Sequence, residues 1–361
     1  MTLEGKKYSI DIYIKAEHLL GFFVLISPLN KNKAMIRSMI LLLSLPFVMQ
    51  GQNSIKCTTS EINKKYFEEH PKDKLEREWL NEESRLAEFN KTAVSTSITI
   101  PIVFHVNDPT NPQKVTLAQV QSAVDILNED YNGLNPEFNS LRPEFQGIAS
   151  NFEINFCLAS IDPDGNSTNG ITYHYNSYNG REPNGSGGAV KGVSVWPCDK
   201  YLNVWIVNEV EDDGDLYYSG WAFYPSTSLA DQGLDGIVYN HRYLGYGEGS
   251  SDVSGPTSWQ AKMARVLTHE VGHYLNLMHT FANYCTSPGD EVSDTPPVFH
   301  HGSNNCQQNW TLCSGVTIVN DENYMDYTDC PSMFTDGQKT RVLTALNSTV
   351  GIGIIYGLQL I

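Results

Sequence analysis

The most informative segment of this chain is His269-Glu-Val-Gly-His-Tyr-Leu-Asn-Leu-Met-His279. It closes an apolar pattern of helical spacing, which predicts one helix over Trp259–Met278. Residues four apart on a helix lie nearly one above the other, so His269 and His273 can reach the same metal ion. Glu270 is turned away from that line and can hold a water beside the ion. Imidazole suits zinc, and two helical histidines leave room for a third ligand and a water.

His279 is the candidate third ligand. To bring it back to the same ion the chain must leave the helix sharply, and Asn276 is the residue type that, after glycine, best tolerates the required positive φ. Further along, Asn323-Tyr-Met-Asp-Tyr327 contains Met325, which we predict to form the hydrophobic base under the metal. Histidines at this spacing followed by a methionine turn form the metzincin signature, in which glycine is commoner at the position of Asn276.

Four segments of the chain resemble the pappalysin family of zinc metallopeptidases, and within it the small bacterial branch. They are His269–Phe281, Gly289–Pro296, Asn323–Cys330 and Phe334–Gln338, and a weaker likeness extends the match to residues 98–345. The resemblance implies an α/β, metzincin-type fold with an upper twisted mixed β-sheet, an active-site helix and an irregular lower subdomain with a C-terminal helix. Strands that alternate with helices along the chain lead independently to an α/β layer architecture.

The resemblance implies a secreted zinc endopeptidase that hydrolyses peptide bonds of proteins. In that chemistry His269, His273 and His279 hold the zinc, while Glu270 acts as general base toward the attacking water. The resemblance also places Tyr327 where its hydroxyl can hydrogen-bond the oxyanion, and a tyrosine that only packs is the alternative. Two other functions stay open, a zinc amidase and an extracellular adhesion or binding module with little turnover. The methionine turn disfavours the first, and the presence of Glu270 disfavours the second.

An acidic loop follows the third histidine, in the segment Gly289-Asp-Glu-Val-Ser-Asp-Thr-Pro296. Carboxylates together with loop carbonyls suit a hard cation better than zinc. The resemblance implies a structural calcium ion here, with Asp290, Asp294 and Thr295 as candidate ligands. The alternative is a solvated acidic loop without a metal.

The chain has seven cysteines, and four of them crowd between positions 285 and 330. No pair has C-x-x-C spacing, which argues against a zinc ribbon, and clustered cysteines in an exported chain usually form disulfides. Four cysteines allow three pairings, of which the resemblance favours Cys285–Cys313 with Cys306–Cys330. Cys157 and Cys198 remain as a candidate third pair.

Cys57 is the odd cysteine, in a polar segment ahead of the catalytic residues. A thiolate is a good zinc ligand, so Cys57 is a candidate zinc switch that occupies the water position and keeps a precursor silent. The alternatives are that Cys57 pairs with another cysteine or is inert.

The N-terminal region reads as an export signal. Basic residues precede the apolar run Met39–Met49, and small and polar residues follow it, which is the order of a signal peptide. The run is too short to span a bilayer. A membrane anchor built from Ile12–Leu29 together with this run is the alternative, and the charges around both runs count against it.

These features divide the chain into five segments. They are an overlong start (1–34), a signal peptide (35–51), a propeptide (52–95), a metzincin catalytic domain (96–347) and an atypical apolar tail (348–361). We interpret the tail as a possible frameshift product, and a buried C-terminal strand is the alternative.

The acidic composition limits the classes of partner that the protein can bind. The formal net charge of −17 argues against nucleic acid and anionic membranes as partners, because both are polyanions. We therefore expect no nucleic acid partner and no stable association with a membrane. The resemblance implies protein or peptide substrates, and we also expect a monomer.

Local patterns predict the regular elements around the metal site. The predicted strands are Ile98–Val106, Phe152–Ser160, Tyr201–Val207, Tyr217–Tyr224 and Gly236–Asn240. The predicted helices, besides the one that carries the histidines, cover residues 75–89, 117–131 after a Thr116 cap, and 337–347. Asn179–Gly192 is predicted to be a loop. The strand Tyr218–Tyr224 resembles an edge strand that binds substrate by antiparallel addition, although an ordinary sheet strand needs no such role.

Overall fold

The strands and helices are known for most of the chain that follows residue 55. The computed structural model describes residues 56–90, 98–180, 188–211, 217–246, 264–299, 306, 313 and 319–348. All of them belong to one unit, Gln52–Ile361. The predicted overlong start, the signal peptide and residues 349–361 of the tail lie outside the described residues.

Nine short strands form two sheets. They are β1 (Lys56–Cys57), β2 (Ile98–Asn107), β3 (Ala149–Ser150), β4 (Ile154–Leu158), β5 (Ile171–His174), β6 (Leu202–Val207), β7 (Tyr218–Ala222), β8 (Ile237–Asn240) and β9 (Phe334–Thr335) among the described residues. The large sheet has the order β1-β7-β8-β6-β2-β4, with β5 also beside β2, and β3 pairs with β9. In the large sheet only β7 and β8 run antiparallel. The sheet is therefore mixed, as predicted.

Strand β2 lies at the centre of the large sheet. Its sequence, Ile98-Thr-Ile-Pro-Ile-Val-Phe-His-Val-Asn107, is rich in β-branched and aromatic residues, and from Ile102 onward every residue is buried. Parallel strands covered on both faces carry such continuous apolar runs rather than an alternating pattern. The predicted strand is confirmed, and it joins β4, β5 and β6 into one layer.

Eight α-helices lie in the described part of the chain. They are α1 (Thr59–Glu69), α2 (Pro71–Phe89), α3 (Leu117–Tyr131), α4 (Pro143–Gln146), α5 (Gly188–Val193), α6 (Thr227–Asp231), α7 (Val266–Tyr274) and α8 (Asp336–Asn347). The predicted cap of α3 is confirmed, because the Thr116 side chain accepts a hydrogen bond from the Gln119 amide. Thr335 and Gln338 form a reciprocal capping box at the start of α8. None of the helices so described is long and apolar enough to cross a membrane.

Two predicted elements differ from the structure. The histidine helix was expected to run to Met278, but α7 ends at Tyr274 because Asn276 adopts a φ of +77°. Its predicted start at Trp259 lies outside the described residues. The predicted loop Asn179–Gly192 contains the beginning of α5, which Gly188 opens.

Helix α2 buries a different face from the one that its apolar residues predict. Its predicted apolar face is exposed, with Leu75 at 65% and Phe89 at 84% of their full accessibility, and Trp79 and Leu86 at 44%. The buried face carries Asp73, Arg77, Leu80 and Ser84. Helix α2 therefore docks on the rest of the unit through a mostly polar face, from which Leu80 packs into the main apolar core.

Candidate metal centre and cleft

Three imidazole nitrogens meet at one point beside α7. The Nε2 atom of His269 lies 3.0 Å from that of His273 and 3.1 Å from that of His279, and the His273 and His279 Nε2 atoms are 3.1 Å apart. All three side chains are buried. The structure thus brings together the three ligands predicted from the sequence.

The turn after α7 delivers the third histidine. Asn276 adopts the left-handed φ of +77°, and the Leu277 amide donates to the carbonyl of Gly272 at 2.8 Å. This is the geometry of a helix C-terminus that reverses through one residue of positive φ, for which asparagine is the usual substitute for glycine. Asn276 therefore performs the backbone role that glycine has in the metzincin signature.

The outer nitrogens of the same rings are engaged. His269 Nδ1 lies 2.7 Å from the carbonyl of Tyr324, and His273 Nδ1 lies 2.7 Å from the carbonyl of Leu277. A carbonyl only accepts, so each Nδ1 carries the proton and each neutral ring presents a lone pair at Nε2. His279 Nδ1 is 3.1 Å from the Ser60 hydroxyl. Burial lowers the pKa of His269 to about 4, which keeps this ring neutral.

This donor set fits zinc. The Nε2 lone pairs of the neutral His269 and His273 rings lie 3.0 Å apart and cannot hydrogen-bond one another, whereas a cation between them would satisfy both. The Nε2 atom of His279 lies 3.1 Å from each of them. Tetrahedral zinc with Zn–N bonds of about 2.0–2.1 Å places neighbouring nitrogens about 3.3 Å apart. Neutral imidazoles held through Nδ1 are the usual form of zinc-binding histidine.

Cys57 is the fourth group at this point. The Cys57 sulfur and the three histidine nitrogens all lie within 4.8 Å of one another. In the described ranges, no other group of three or more His, Cys, Asp or Glu side chains could hold a metal ion in this way. The sulfur also lies 3.4 Å from Oε2 of Glu270. The structure therefore places the predicted switch cysteine where a fourth ligand would bind.

Glu270 is fully buried beside the histidines but is not among the ligand atoms. Its Oε1 accepts from the Ser219 hydroxyl at 3.1 Å, and its Oε2 accepts from the Thr59 hydroxyl at 3.4 Å. Burial raises the pKa of this carboxyl to about 8, and a bound cation would act in the opposite direction. The role of Ser219 was not predicted, because no motif in the neighbouring sequence distinguishes it.

Met325 lies under α7, as predicted. It is fully buried, and its sulfur would lie only 2.5 Å from a Cβ built on Gly272. A side chain at position 272 would therefore require the Met325 thioether to shift. The sequence contains the signal, a glycine inside a helix, but the partner that requires it is visible only in three dimensions.

Tyr327 faces the metal site. The centre of its ring lies 4.8 Å from that of His279 and 5.8 Å from that of His269, and its hydroxyl donates to the backbone carbonyl of Cys57 at 3.0 Å. Burial raises the pKa of Tyr327 well above its ordinary value, so the hydroxyl keeps its proton. It is a hydrogen-bond donor aimed at a carbonyl oxygen next to the ligand cluster.

Strand β1 and helix α1 cover the edge of β7. Strand β1 adds to β7 in parallel orientation. Beyond it, the Asn63 side chain donates to the carbonyl of Ala222 and accepts from the amide of Tyr224, both at 2.8 Å. The predicted substrate-binding edge is thus occupied by the chain itself, in the direction opposite to the antiparallel addition expected of a substrate.

Helix α2 closes the other side of the cleft. The Arg77 guanidinium stacks on the ring of Tyr224 at 3.6 Å and donates to Oδ1 of Asn276 at 2.8 Å. A cavity of about 690 Å³ remains there, and its lining includes Phe67 of α1, Arg77 of α2 and Phe281. The asparagine that replaces glycine in the signature therefore also contacts the covering segment.

The predicted calcium ligands lie in two places. Asp290 is buried, and both of its carboxylate oxygens accept from the Thr295 hydroxyl at 2.8 Å. Asp294 instead accepts from the Thr335 hydroxyl at 2.6 Å and from the Gly337 amide at 2.8 Å, at the start of α8. Burial raises the pKa of Asp290 well above its ordinary value.

Four of the six cysteines outside the metal site form two disulfides. They are Cys285–Cys313 and Cys306–Cys330, the pairings that the resemblance implies. The third candidate pairing is wrong, because Cys157 and Cys198 are both free. Cys157 is exposed on β4, whereas Cys198 is buried beside Asn203 of β6, and β2 runs between these strands. Two strand spacings are about 10 Å, more than the Cα separation that a disulfide can span.

Comparisons with known proteins match the chain to metalloproteases. The family model described as Pregnancy-associated plasma protein-A matches residues 189–347. Extracellular metalloprotease 1 of Coccidioides posadasii is 41% identical over 95 residues, which are 26% of this chain and 34% of that protein. An extracellular metalloprotease of Verticillium alfalfae is 36% identical over 126 residues, 34% of this chain and 42% of that protein. The chain thus spans less than half the length of these two relatives.

Two solved structures are similar over nearly their whole length. Mature mirolysin of Tannerella forsythia in complex with a cleaved peptide has 30% sequence identity and a TM-score of 0.61, and the match covers 72% of this chain and 95% of that one. A promirolysin mutant from the same organism has 27% identity and a TM-score of 0.67, with 82% and 95% covered.

Proposed function

Because the chain belongs to the pappalysin family of zinc metallopeptidases, we propose that it is a secreted zinc endopeptidase held latent by its own prosegment. The observation that carries the proposal is the convergence of three imidazole Nε2 atoms beside a buried glutamate that is not a ligand. A purely structural zinc site has no need of a buried carboxylate that is not a ligand. The alternative of an adhesion module leaves Glu270 without a role.

When bound by His269, His273 and His279, zinc supplies a Lewis acid. Glu270 takes the proton of the attacking water and later passes it to the leaving amine. Ser219 holds the second oxygen of that carboxylate, which orients the first toward the reacting water. The Tyr327 hydroxyl donates to the carbonyl oxygen of the scissile bond as negative charge develops there.

Hydrolysis of casein tests the reaction class. We expect the chain, once cleaved between residues 91 and 97 by an added protease, to cut casein into peptides. A zinc-selective chelator should stop the cutting, and added zinc should restore it. Cutting that persists after zinc removal would contradict the proposal, and a protein that binds zinc without cutting casein or gelatin would support the adhesion module.

Tyr327 provides a prediction about transition-state stabilisation. Tyr327→Phe removes one hydroxyl donor and keeps the ring against His279. We expect kcat to fall by about 10²-fold, as for the loss of one oxyanion donor, with little change in KM or in zinc content. Steady-state kinetics on a peptide substrate, with zinc counted by elemental analysis, measure both. An unchanged kcat would reduce Tyr327 to a packing residue.

Calcium is proposed as a structural cofactor at the Asp290–Thr295 pair. The support is the buried carboxylate of Asp290, which lies in the acidic loop that follows His279 along the chain. We expect calcium at about 100 times its Kd to raise Tm by about 5–10 °C relative to calcium-free protein. Magnesium at the same concentration and the variant Asp290→Asn serve as controls, and neither should show the shift. Identical melting curves with and without calcium would remove the ion from the account.

The prosegment assignment covers residues 52–95. It is supported by the match to the mirolysin pro-form, which covers 82% of this chain against 72% for the mature form. It is supported further by the contacts of Cys57 with the histidine cluster, of Asn63 with β7 and of Arg77 with Asn276. Removal of α1 and α2 would free the β7 edge, to which an extended substrate can then add as an antiparallel strand.

A further inference from the structure

A buried carboxylate on α3 connects the two segments that build the metal site. Asp130 lies at the end of α3, and its side chain is fully buried. Its Oδ2 accepts from the Thr268 hydroxyl at 2.7 Å, and its Oδ1 accepts from the Tyr324 hydroxyl at 2.7 Å. Thr268 directly precedes the ligand His269, and Tyr324 directly precedes Met325. One side chain therefore holds both the ligand helix and the methionine turn.

The same two segments meet again at His269. The backbone carbonyl of Tyr324 accepts from His269 Nδ1 at 2.7 Å. The contacts form a closed circuit of hydrogen bonds and chain. It runs from Asp130 to the Tyr324 hydroxyl, from the Tyr324 carbonyl to the His269 imidazole, and from the neighbouring Thr268 hydroxyl back to Asp130. The direction of that imidazole depends on how far the methionine turn lies from the helix, and this distance is what Asp130 spans.

We propose that Asp130 is a positioning residue, which orients His269 toward the metal by holding Thr268 and Tyr324 at a fixed separation. The inference rests on the proposed zinc site and adds a residue that touches neither the metal nor the substrate. Mutation of groups that orient the ligands of a metal typically weakens metal binding by about 10- to 100-fold. Because Asp130 acts through two neighbours, its loss should loosen the ligand without removing it.

An ion pair beside Asp130 allows the positioning role to be distinguished from a contribution to the stability of the fold. The Arg265 guanidinium lies 3.3 Å from Asp130 and 2.9 Å from Glu137, and so belongs to the same buried cluster. The described side-chain hydrogen bonds of Glu137 come from Arg265 and Asn135, so Glu137 reaches the circuit only through Arg265. Glu137→Gln is therefore a matched control, since it weakens the ion pairs of the cluster and leaves the circuit through His269 intact.

The test measures the zinc affinity of the metal-free full-length chain. A chelating dye competes for the zinc in reducing buffer. We expect Asp130→Asn to weaken zinc binding by about 10- to 100-fold, and Tyr324→Phe to weaken it by about tenfold. The d–d absorption bands of the cobalt-substituted protein should shift in both variants. Glu137→Gln should lower Tm alone and keep the zinc affinity and the cobalt spectrum of wild type.

The outcomes are distinguishable. If the wild-type chain binds no zinc, or binds it equally well after His269→Ala, the proposed function fails. If wild type binds zinc and both Asp130→Asn and Tyr324→Phe bind it equally tightly, only the positioning role of Asp130 fails. Should Asp130→Asn not fold, Tyr324→Phe decides, because it removes one hydroxyl and keeps the ring packed. An equal loss of affinity in Glu137→Gln would also overturn the inference.

Discussion

Glu270→Gln is expected to lower kcat on peptide substrates by about 10³- to 10⁴-fold, the upper range for loss of a general base. Glutamine has the size of glutamate and can still accept from Ser219, so the fold and the three histidines should be unaffected. Its amide nitrogen has no basic lone pair and cannot take the proton of the water. The expected pattern is a lost kcat with nearly unchanged zinc content and Tm.

The measurement requires mature protein, since the variant cannot process itself. Wild type and Glu270→Gln are therefore cleaved by the same added protease before the rates are compared. Glu129→Gln is a suitable control, because this glutamate is exposed on α3 and lies outside the proposed machinery. Turnover of Glu270→Gln within tenfold of wild type would contradict the assignment of Glu270 as general base.

Cys57→Ala is expected to raise the initial rate of the intact chain by about 10²- to 10³-fold. A zinc site with four protein ligands contributes about 10–16 kcal/mol, so one thiolate contributes roughly a quarter of that, and each 1.4 kcal/mol changes the open fraction tenfold. Without the thiolate, the position beside Glu270 is free for water. A short peptide substrate should reveal the effect more fully than casein, since α1 and α2 still cover the cleft in this variant.

Initial rates must be taken before any fragment appears on a gel. Cys157→Ala controls for loss of a free thiol, because Cys157 is exposed on β4. Arg77→Ala loosens the cover at Asn276 without touching the ligand cluster, and so reports on the steric part of latency. Equal rates of wild type and Cys57→Ala, with a gain in Arg77→Ala, would mean that latency is steric alone. A mass spectrum that finds Cys57 in a disulfide would also contradict the switch.

Much of the fold and the site followed from the chain itself. Two histidines four apart, a residue tolerant of positive φ and a third histidine are local features, and backbone geometry alone brings their side chains together. Strand β2 and the cap of α3 were likewise predictable, because burial on both faces and an N-cap hydroxyl leave marks within a few residues. The disulfides came from resemblance, since four cysteines allow three pairings.

Only the tertiary structure decided the groups that act across long separations. Ser219 meets Glu270 across 51 positions of the chain, and Asp130 meets Tyr324 across 194. No periodicity links such partners, because each polar contact depends on where whole elements pack. The same reason explains why the polar face of α2 is the buried one and why β1 enters β7 in parallel. Local sequence sets the conformation of each element, whereas its direction and its partner are chosen by the free energy of the assembled unit.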